Sequence, residues 1–305
     1  MENGDKPNIK SIVISGGGPA GFSFYGAIKE CQQQGLWEFE NLESMYGTSI
    51  GAILCVILCL NYEWQVLDDF LIKRPWNQVF KMNMYSIIDA FQKRGIYDIS
   101  TIENSFLPLF NGKDVSIDIT LLEFYEMTHI DLHIFSTEIH HYELVDFSHK
   151  THPQWRLVDA VYCSCSLPVA FSPLLLDGCC YCDGGLMSNY PLRICMDNGY
   201  KPAEILGVKM TIDRVNQEKV RAESSIFDYI ICIFNKMMEK RLLAADMVKN
   251  DILYEIKIES PQISIFNTYA IVSSPDERSR LIKVGIDIAA SCLHSTGFLK
   301  DKNPL

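Results

Sequence analysis

The chain has 305 residues, of which 48% are hydrophobic, and its formal net charge is −11 at pH 7. This length and apolar content suffice to bury a sizeable core in one or two domains. The negative charge argues against nucleic-acid binding and against lasting attachment to anionic lipid, because both interactions need basic surfaces. Contact with neutral or zwitterionic lipid through apolar side chains stays compatible with it.

Two further features of the sequence bear on the cellular compartment. The first ten residues lack the charged and apolar segments of a signal peptide, and the longest apolar run, Ile50–Leu60, is too short to span a bilayer. Eleven cysteines, an odd number in a chain without an export signal, are expected to be reduced thiols. We therefore expect an intracellular, cytosolic-type protein whose association with membranes, if any, is peripheral.

In chain order, strand and helix patterns alternate through the first part of the sequence. The predicted elements are a buried strand at 9–15, a helix at 21–34 ended by Gly35, a short strand at 42–47, an apolar helix from Ile50, and helices and loops over 62–113. A glycine-rich turn separates the first strand from the first helix.

The second part continues the alternation. The predicted elements are strands over 131–148 with a hairpin turn near His140 and His141, a helix at 157–165, a strand at 204–210, a helix from Ile226 to about Val248, an alternating strand at 252–258, and a last helix that begins at Ser274. Ser274, Pro275 and Glu277 supply the N-cap, first-turn proline and glutamate of that last helix. We predict one α/β domain with a mostly parallel central sheet flanked by helices.

The first chemical motif is the glycine turn in the stretch SIVISGGGPAG, which ends at Gly21. Gly16, Gly18 and Gly21 have the G-x-G-x-x-G spacing of loops that bind the pyrophosphate of a dinucleotide such as FAD or NAD. The same backbone N–H groups, those of Gly17 included, could instead stabilise the oxyanion of an acyl-transfer reaction. The other motifs have to distinguish these two anions.

The second motif, Gly47-Thr48-Ser49-Ile50-Gly51, has the form G-x-S-x-G and lies between a strand pattern and a helix pattern. This is the context of a nucleophile elbow, in which a strained turn exposes the serine hydroxyl. The free N–H groups at the start of the following helix favour a developing negative charge. A purely structural turn is the alternative, and the strand-turn-helix context disfavours it.

The third motif is Asp183-Gly184-Gly185, which places a carboxylate on a tight turn with little steric cover. Taken alone, Asp-Gly-Gly is ordinary turn chemistry. It gains meaning only in combination with the other two motifs.

Together these blocks resemble the patatin-like phospholipase family. The glycine block that ends at Gly21 is similar to the family's oxyanion loop, the block around Ser49 to its nucleophile elbow, and the block around Asp183 to the site of its catalytic aspartate. The stretch CSCSLPVAFSP (Cys163–Pro173) and the N-x-P sequence that begins at Asn189 also fit the family pattern. The resemblance covers residues 9–210, so we expect an N-terminal tail at 1–8 and one catalytic domain at 9–300, with C-terminal helices and a strand over 211–300.

The resemblance implies a Ser–Asp dyad without histidine, and we expect neither a metal nor a cofactor. Ser49 is then the nucleophile on a fatty-acyl ester, and Asp183 accepts its proton and later helps to activate water. A free aspartate is a weak base at neutral pH, so much of the catalysis has to come from the oxyanion hole. The candidate donors are the N–H groups of Gly17 and Gly18, with Gly16 shaping the turn and Ile50 contributing a further N–H.

One block departs from the family pattern. Patatin-like proteins often carry a basic residue just before the last glycine of the oxyanion loop, where this chain has Pro19 and Ala20. The departure bears on the rate and the head-group preference more than on the reaction type. It also leaves open a lipid-binding protein that kept the fold and lost the activity.

Two other enzymatic interpretations are weaker. A dinucleotide loop requires an acidic residue at the end of the second strand. The nearby acidic residues are Glu38, Glu40 and Glu43, and the sequence before them is a poor strand pattern. An α/β-hydrolase triad requires a histidine after Asp183, and only His294 follows, at the predicted end of the last helix.

No metal site is expected. His129 and His133 are roughly 13 Å apart if they lie on one strand, and Cys179, Cys180 and Cys182 have no second Cys/His pair at zinc-finger spacing. The sequence contains no EF-hand-type acidic loop, so it does not indicate a calcium requirement.

The implied substrate is a phospholipid or a related acyl lipid, with transient contact at a membrane surface. The segment Ser225–Val248 has a broad apolar face flanked by lysine and arginine, typical of a helix packed on the sheet and, alternatively, of a lid or interfacial helix. Residues 62–97 are candidates for an acyl pocket. The sequence leaves the oligomeric state open.

Overall fold

The computed structural model describes residues 7–81, 84–212, 220–246, 252–260 and 265–299. Its strands are β1 Ser11–Ile14, β2 Ser44–Thr48, β3 Gly95–Tyr97, β4 Asp131–Glu138, β5 Glu143–Phe147, β6 Val169–Phe171, β7 Leu174–Leu176, β8 Cys179–Asp183, β9 Ile205–Ile212 and β10 Tyr254–Ser260. Its helices are α1 Gly21–Gln33, α2 Ile50–Cys59, α3 Trp64–Asp68, α4 Met84–Lys93, α5 Ile99–Asn111, α6 Leu121–Thr128, α7 Leu157–Cys165, α8 Gly185–Ser188, α9 Leu192–Asp197, α10 Ile226–Asp246, α11 Ile265–Ser273 and α12 Pro275–Ser295.

Eight strands form the central sheet, in the order β10-β9-β1-β2-β4-β8-β7, with β5 also paired to β4. The five strands from β10 to β4 are parallel, whereas β5, β7 and β8 run antiparallel to their neighbours. Helices pack on both faces of the sheet, since alternate residues of β1 and β2 belong to two apolar clusters. Ile12 and Met45 pack with residues of α1 and α2 on one face, and Val13 and Tyr46 pack with residues of α9 on the other. The predicted α/β fold is therefore confirmed, with a mixed sheet whose larger part is parallel.

The long periodic segments agree with the sequence-based expectation. The hairpin over 131–148, the helix at 157–165 and the helix that begins after Ser274 are all present, and Ser274 caps α12 by accepting a hydrogen bond from Glu277 N. The prediction missed the short strands β3, β6, β7 and β8, which lie in stretches read as loops, helices or turns. Residues 1–6 of the expected tail and the helix end at Val248 lie outside the described residues.

A buried arginine joins the last helix to the segment that follows α3. Arg278 is 1% exposed, and its guanidinium donates to the carbonyls of Leu71 at 2.9 Å and of Arg74 at 3.1 Å, as well as to those of Ile72 and Val272. A buried charge is tolerated when its donors are satisfied in this way. These contacts hold together two segments, around Leu71 and around Val272, that line one cavity.

All eleven cysteines are free thiols, and most of them are buried in the core. Across the described ranges, no helix combines the length with the apolar content that a bilayer crossing needs.

Candidate active site

Ser49 occupies a strained turn between β2 and α2. Its backbone has φ 55° and ψ −123°, a conformation that non-glycine residues rarely adopt. The flanking glycines make the turn sterically possible, since a Cβ at Gly47 would lie 2.6 Å from the carbonyl carbon of Gly51 and one at Gly51 would lie 2.3 Å from Ile14 O. The structure therefore contains the strand-elbow-helix arrangement that the sequence predicts.

Sheet register brings Asp183 next to this turn. β2 and β8 pair with the same side of β4, where Thr48 lies opposite Phe135 and Asp183 lies opposite Ser136. β8 therefore pairs with β4 just beyond the point where β2 ends. Asp183, the last residue of β8, lies beside Ser49, which directly follows β2. The Ser49 hydroxyl lies close enough to the Asp183 carboxylate to favour its ionised form.

Two serines at the end of α7 fix the backbone of both residues. Ser49 N donates to Ser164 Oγ at 2.8 Å, and Ser164 Oγ donates in turn to Phe135 O at 2.6 Å. Asp183 N donates to Ser166 O at 3.0 Å. Sequence reasoning did not single out these serines, although both lie in the small-residue block that resembles the family.

Burial controls the electrostatics of Asp183. The residue is 3% exposed, and removal from water raises the pKa of its carboxyl group from 3.8 to about 6. The nearby Ser49 hydroxyl and a hydrogen bond from Gly185 N at 2.7 Å favour the ionised form and oppose part of this shift. Asp183 is consequently a better base near neutral pH than a solvent-exposed aspartate.

This pKa predicts the acid limb of the pH profile. If Asp183 acts as a base it must be ionised, so kcat/KM should fall as the pH drops through about 6 rather than through the usual range near 4. A profile of ester hydrolysis between pH 4.5 and 9 measures this limb. A rate that stays constant down to pH 4.5 would contradict the role of Asp183 as the base.

The glycine loop follows β1, the strand paired with β2, and lies beside the serine, since the Cβ position of Gly16 is 3.3 Å from Ser49 Cβ. Gly16 N donates to Asn189 O at 2.9 Å, which leaves Gly16 to shape the turn, as the sequence suggested. Gly18 has φ 51°, in the left-handed region that favours glycine. Within the described part of the chain, the N–H groups of Gly17 and Gly18 make no hydrogen bond, and that of Ile50 belongs to the first turn of α2, which has no intrahelical acceptor.

The remaining motif glycines serve close packing around the site. Gly21 faces the Ile50 side chain, with 2.3 Å between its Cβ position and Ile50 Cγ1, and Gly184 faces Phe135 O at 2.2 Å. Gly185 donates to Asp183 and begins α8. The structure therefore brings every residue of the three motifs to one place.

An apolar cavity of about 190 Å³ opens from Ser49 and Asp183. Its polar end contains these two residues and Gly18. Its apolar walls include Ile53, Leu71, Trp76, Phe80, Tyr97, Phe171 and Val272. Four of these seven side chains lie in the segment 62–97 that the sequence suggested for an acyl pocket. The described lining residues include no lysine or arginine.

The structure places the residues of the rival interpretations elsewhere. Glu38, Glu40 and Glu43 precede β2, whose end carries Ser49 instead of the acidic residue of a dinucleotide site. His294 is exposed near the end of α12, where Phe298 packs on Tyr254, the first residue of β10. Because β10 runs parallel to β9, β1 and β2, the first residue of β10 lies at the amino ends of these strands. The elbow lies at their carboxyl ends, on the opposite side of the sheet.

The histidine pair also separates in the structure. His133 is buried on β4 and hydrogen-bonded to Asp146 at 2.8 Å, whereas His129 ends α6 in a left-handed conformation. The described residues contain no group of three or more His, Cys, Asp or Glu side chains arranged for a metal ion.

A family model described as patatin-like phospholipase matches residues 12–196 of this chain. The matched range includes the glycine loop, the serine elbow and Asp183.

Three individual proteins are similar to the chain. It is 25% identical over 229 residues to "Uncharacterized protein R571" of Acanthamoeba polyphaga mimivirus, with 74% of each chain covered. It is 23% identical over 189 residues to "Probable lipid hydrolase 463L" of Invertebrate iridescent virus 6, with 61% of this chain and 63% of that relative covered. The crystal structure of VipD from Legionella pneumophila superposes with a TM-score of 0.58 at 18% identity, over 95% of this chain and 67% of VipD, a likeness of fold.

Proposed function

The chain belongs to the patatin-like phospholipase family, and from that premise we propose that it is a serine-dependent lipid hydrolase that cleaves fatty-acyl esters of phospholipids or related lipids. One observation carries the proposal: the strained Ser49 stands beside a buried Asp183 at the polar end of an apolar cavity. The name of the iridescent-virus relative, a lipid hydrolase, points to the same chemistry. We take residues 9–300 as one catalytic domain.

The proposed reaction has two halves. In the first, Ser49 Oγ attacks the ester carbonyl carbon while Asp183 accepts the hydroxyl proton, and collapse of the tetrahedral intermediate releases the alcohol or lysolipid, which takes that proton. In the second, a water molecule attacks the acyl-serine, Asp183 accepts a proton from the water, and Ser49 recovers it as the fatty acid leaves. These steps use no metal or cofactor.

Backbone N–H groups stabilise the oxyanion in this proposal. The candidates are Gly17, Gly18 and Ile50, whose amides have no partner within the described chain or start a helix. Pro19 and Ala20 occupy the place where the family often has a basic residue, so no side-chain charge supports the negative oxygen. Losing one such donor typically costs 10²- to 10³-fold in kcat, so we expect a slow enzyme rather than a different reaction.

The cavity walls determine the substrate class. They are apolar beyond Ser49, and burial of a methylene group stabilises binding by about 0.8 kcal/mol. An acyl chain therefore fits the cavity, with the ester at its polar end and the head group outside. Phospholipids and acylglycerols both present such an ester.

Helix α10 supplies the surface that we propose for transient membrane contact. The sequence indicated one broad apolar face, but the structure divides it: Phe234 and Met238 are buried, whereas Ile226, Ile233 and Met237 are exposed. The buried face packs on the turn that follows Asp183, since Met238 Sδ is 2.6 Å from the Cβ position of Gly185. An exposed apolar helix face beside the site is suited to a lipid–water interface.

A charged substitution on this outer face tests the membrane contact. Ile233→Glu should reduce hydrolysis of phosphatidylcholine vesicles at least about tenfold, because inserting a carboxylate into the interface is costly, and should leave a soluble short-chain ester unaffected. Met127→Glu on α6 is the matched control, since Met127 and Ile233 are 44% and 43% exposed. Equal losses on both substrates, or in both variants, would refute the contact.

The function itself is tested with phosphatidylcholine vesicles in the presence of EDTA. We expect fatty acid and lysophospholipid in equal amounts, and labelling by a fluorophosphonate probe on the peptide that contains Ser49. Vesicle binding without release or labelling would instead support the inactive lipid-binding protein. Labelling at another residue would refute the assignment of Ser49.

A further inference from the structure

Asn189 connects the glycine loop to the chain that follows Asp183. Its backbone carbonyl accepts from Gly16 N at 2.9 Å, and its side-chain Nδ2 donates to Gly16 O at 3.1 Å. The carbonyl of the preceding residue, Ser188, accepts from Thr48 Oγ1 at 2.8 Å. Two consecutive residues after the aspartate therefore hold the glycine loop and the end of β2, between which the reaction takes place.

The side chain of Asn189 lies in the space between these parts of the site. It is 3% exposed, and its Oδ1 is buried without a hydrogen-bond partner among the described residues. This oxygen is 2.3 Å from the Cβ position of Gly16 and 2.8 Å from that of Gly185, which is itself 3.0 Å from Asp183 Oδ1. The amide thus reaches both the oxyanion loop and the turn that carries the base.

Because Asn189 Oδ1 has no hydrogen-bond partner among the described residues, we infer that the amide group is needed for the hydrogen bond that its Nδ2 donates. Burying an amide oxygen without a partner is unfavourable, and an apolar side chain of similar size avoids that cost. What an apolar side chain cannot do is donate to Gly16 O. The Nδ2 bond to the glycine loop is therefore the feature that distinguishes asparagine here.

We propose that Asn189 is a positioning residue, which sets the distance between the oxyanion loop and the Ser49–Asp183 pair. The proposal rests on the hydrolase function. Gly16, which Asn189 holds at both its N–H and its C=O, directly precedes the candidate donors Gly17 and Gly18. Backbone donors act only when they are held within about 0.5 Å of the productive geometry, so releasing Gly16 weakens oxyanion stabilisation without removing any reacting group.

Asn189→Leu removes the hydrogen bond and keeps the branching pattern of the side chain. We expect kcat on a soluble short-chain ester to fall about 100-fold and KM to change less than threefold, because the cavity walls are unaltered. Circular dichroism and thermal melting establish that the variant is folded.

Asn189→Asp is isosteric and gives a readout that a purely structural residue would not. The introduced carboxyl group can donate to Gly16 O while it is protonated. Once ionised it opposes that carbonyl with a negative charge close to Asp183. We therefore expect the rising pH profile of the wild-type enzyme to become a bell, with a rate at pH 8 at least tenfold below the variant's own maximum.

Asn198→Asp is the matched control. Asn198 Nδ2 donates to the Tyr46 hydroxyl at 2.9 Å, a side-chain hydrogen bond of another asparagine that lies outside the cavity lining, and the wild-type profile should persist. Wild-type kcat in Asn189→Leu, or a wild-type pH profile in Asn189→Asp, would overturn the positioning role alone. A wild-type protein that releases no acid in the same assay would overturn the hydrolase function, and this inference with it.

Discussion

Replacing Ser49 with alanine is expected to reduce fatty-acid release by a factor on the order of 10⁶. The substitution removes the only group that attacks the ester in the proposed mechanism and leaves the oxyanion loop and Asp183 in place. The backbone of the elbow should persist, because its bond to Ser164 Oγ uses the amide of residue 49 rather than its side chain. Initial rates on phosphatidylcholine vesicles and on a soluble ester measure the effect.

Ser291→Ala is a suitable control, since Ser291 lies on the exposed side of α12 and its hydroxyl donates to Asp287 O within that helix. It should retain the wild-type rate. Release above about one per cent of wild type in Ser49→Ala, with labelling lost, would show that another group or bound water attacks the ester. The nucleophile assignment would then be wrong.

The local pattern of apolar and polar residues was sufficient to predict many of the helices and strands. The alternation over 131–148 and the apolar period of 157–165 come from side chains that must face a core, and such patterns are visible in a single sequence. The elbow was also predictable, since the two glycines and Ser49 are adjacent in the chain and the strain is local.

Long-range pairing accounts for what the sequence could not show. The cysteine-rich segment that forms β8 has no alternation, and it is a strand because it pairs with β4 on one side and β7 on the other. The same pairing sets Asp183 beside Ser49, and this depends on where β2 ends along β4. The roles of Ser164 and Asn189 likewise arise from hydrogen bonds over more than 100 residues of chain. The division of α10 into two apolar faces depends on what packs beneath it.

Replacing Asp183 with asparagine is expected to lower kcat by about 10²- to 10⁴-fold, the usual contribution of a general base. Asparagine keeps the shape of the side chain and can still accept from Gly185 N, but it cannot take the proton from Ser49. His294→Ala is the control for the rival triad and should retain nearly full activity. A folded His294→Ala variant that has lost activity would contradict the dyad.

The same Asp183→Asn variant should be more stable than the wild-type protein above pH 6. Since burial raises the pKa of Asp183 from 3.8 to about 6, the folded protein binds a proton that the unfolded chain releases between these values, and the free energy of unfolding falls as the pH rises through that window. Above it the cost of burying the carboxylate is fully present, and a neutral amide avoids it. Thermal melting at pH 7.5 should therefore show a higher Tm for the variant, and the difference should vanish near pH 4. An inactive but stabilised variant would mean that the buried charge destabilises the fold and is needed for the reaction. A variant with a lowered Tm would instead mean that the charged carboxylate stabilises the fold, as an acceptor for Gly185 N that a neutral amide replaces only in part.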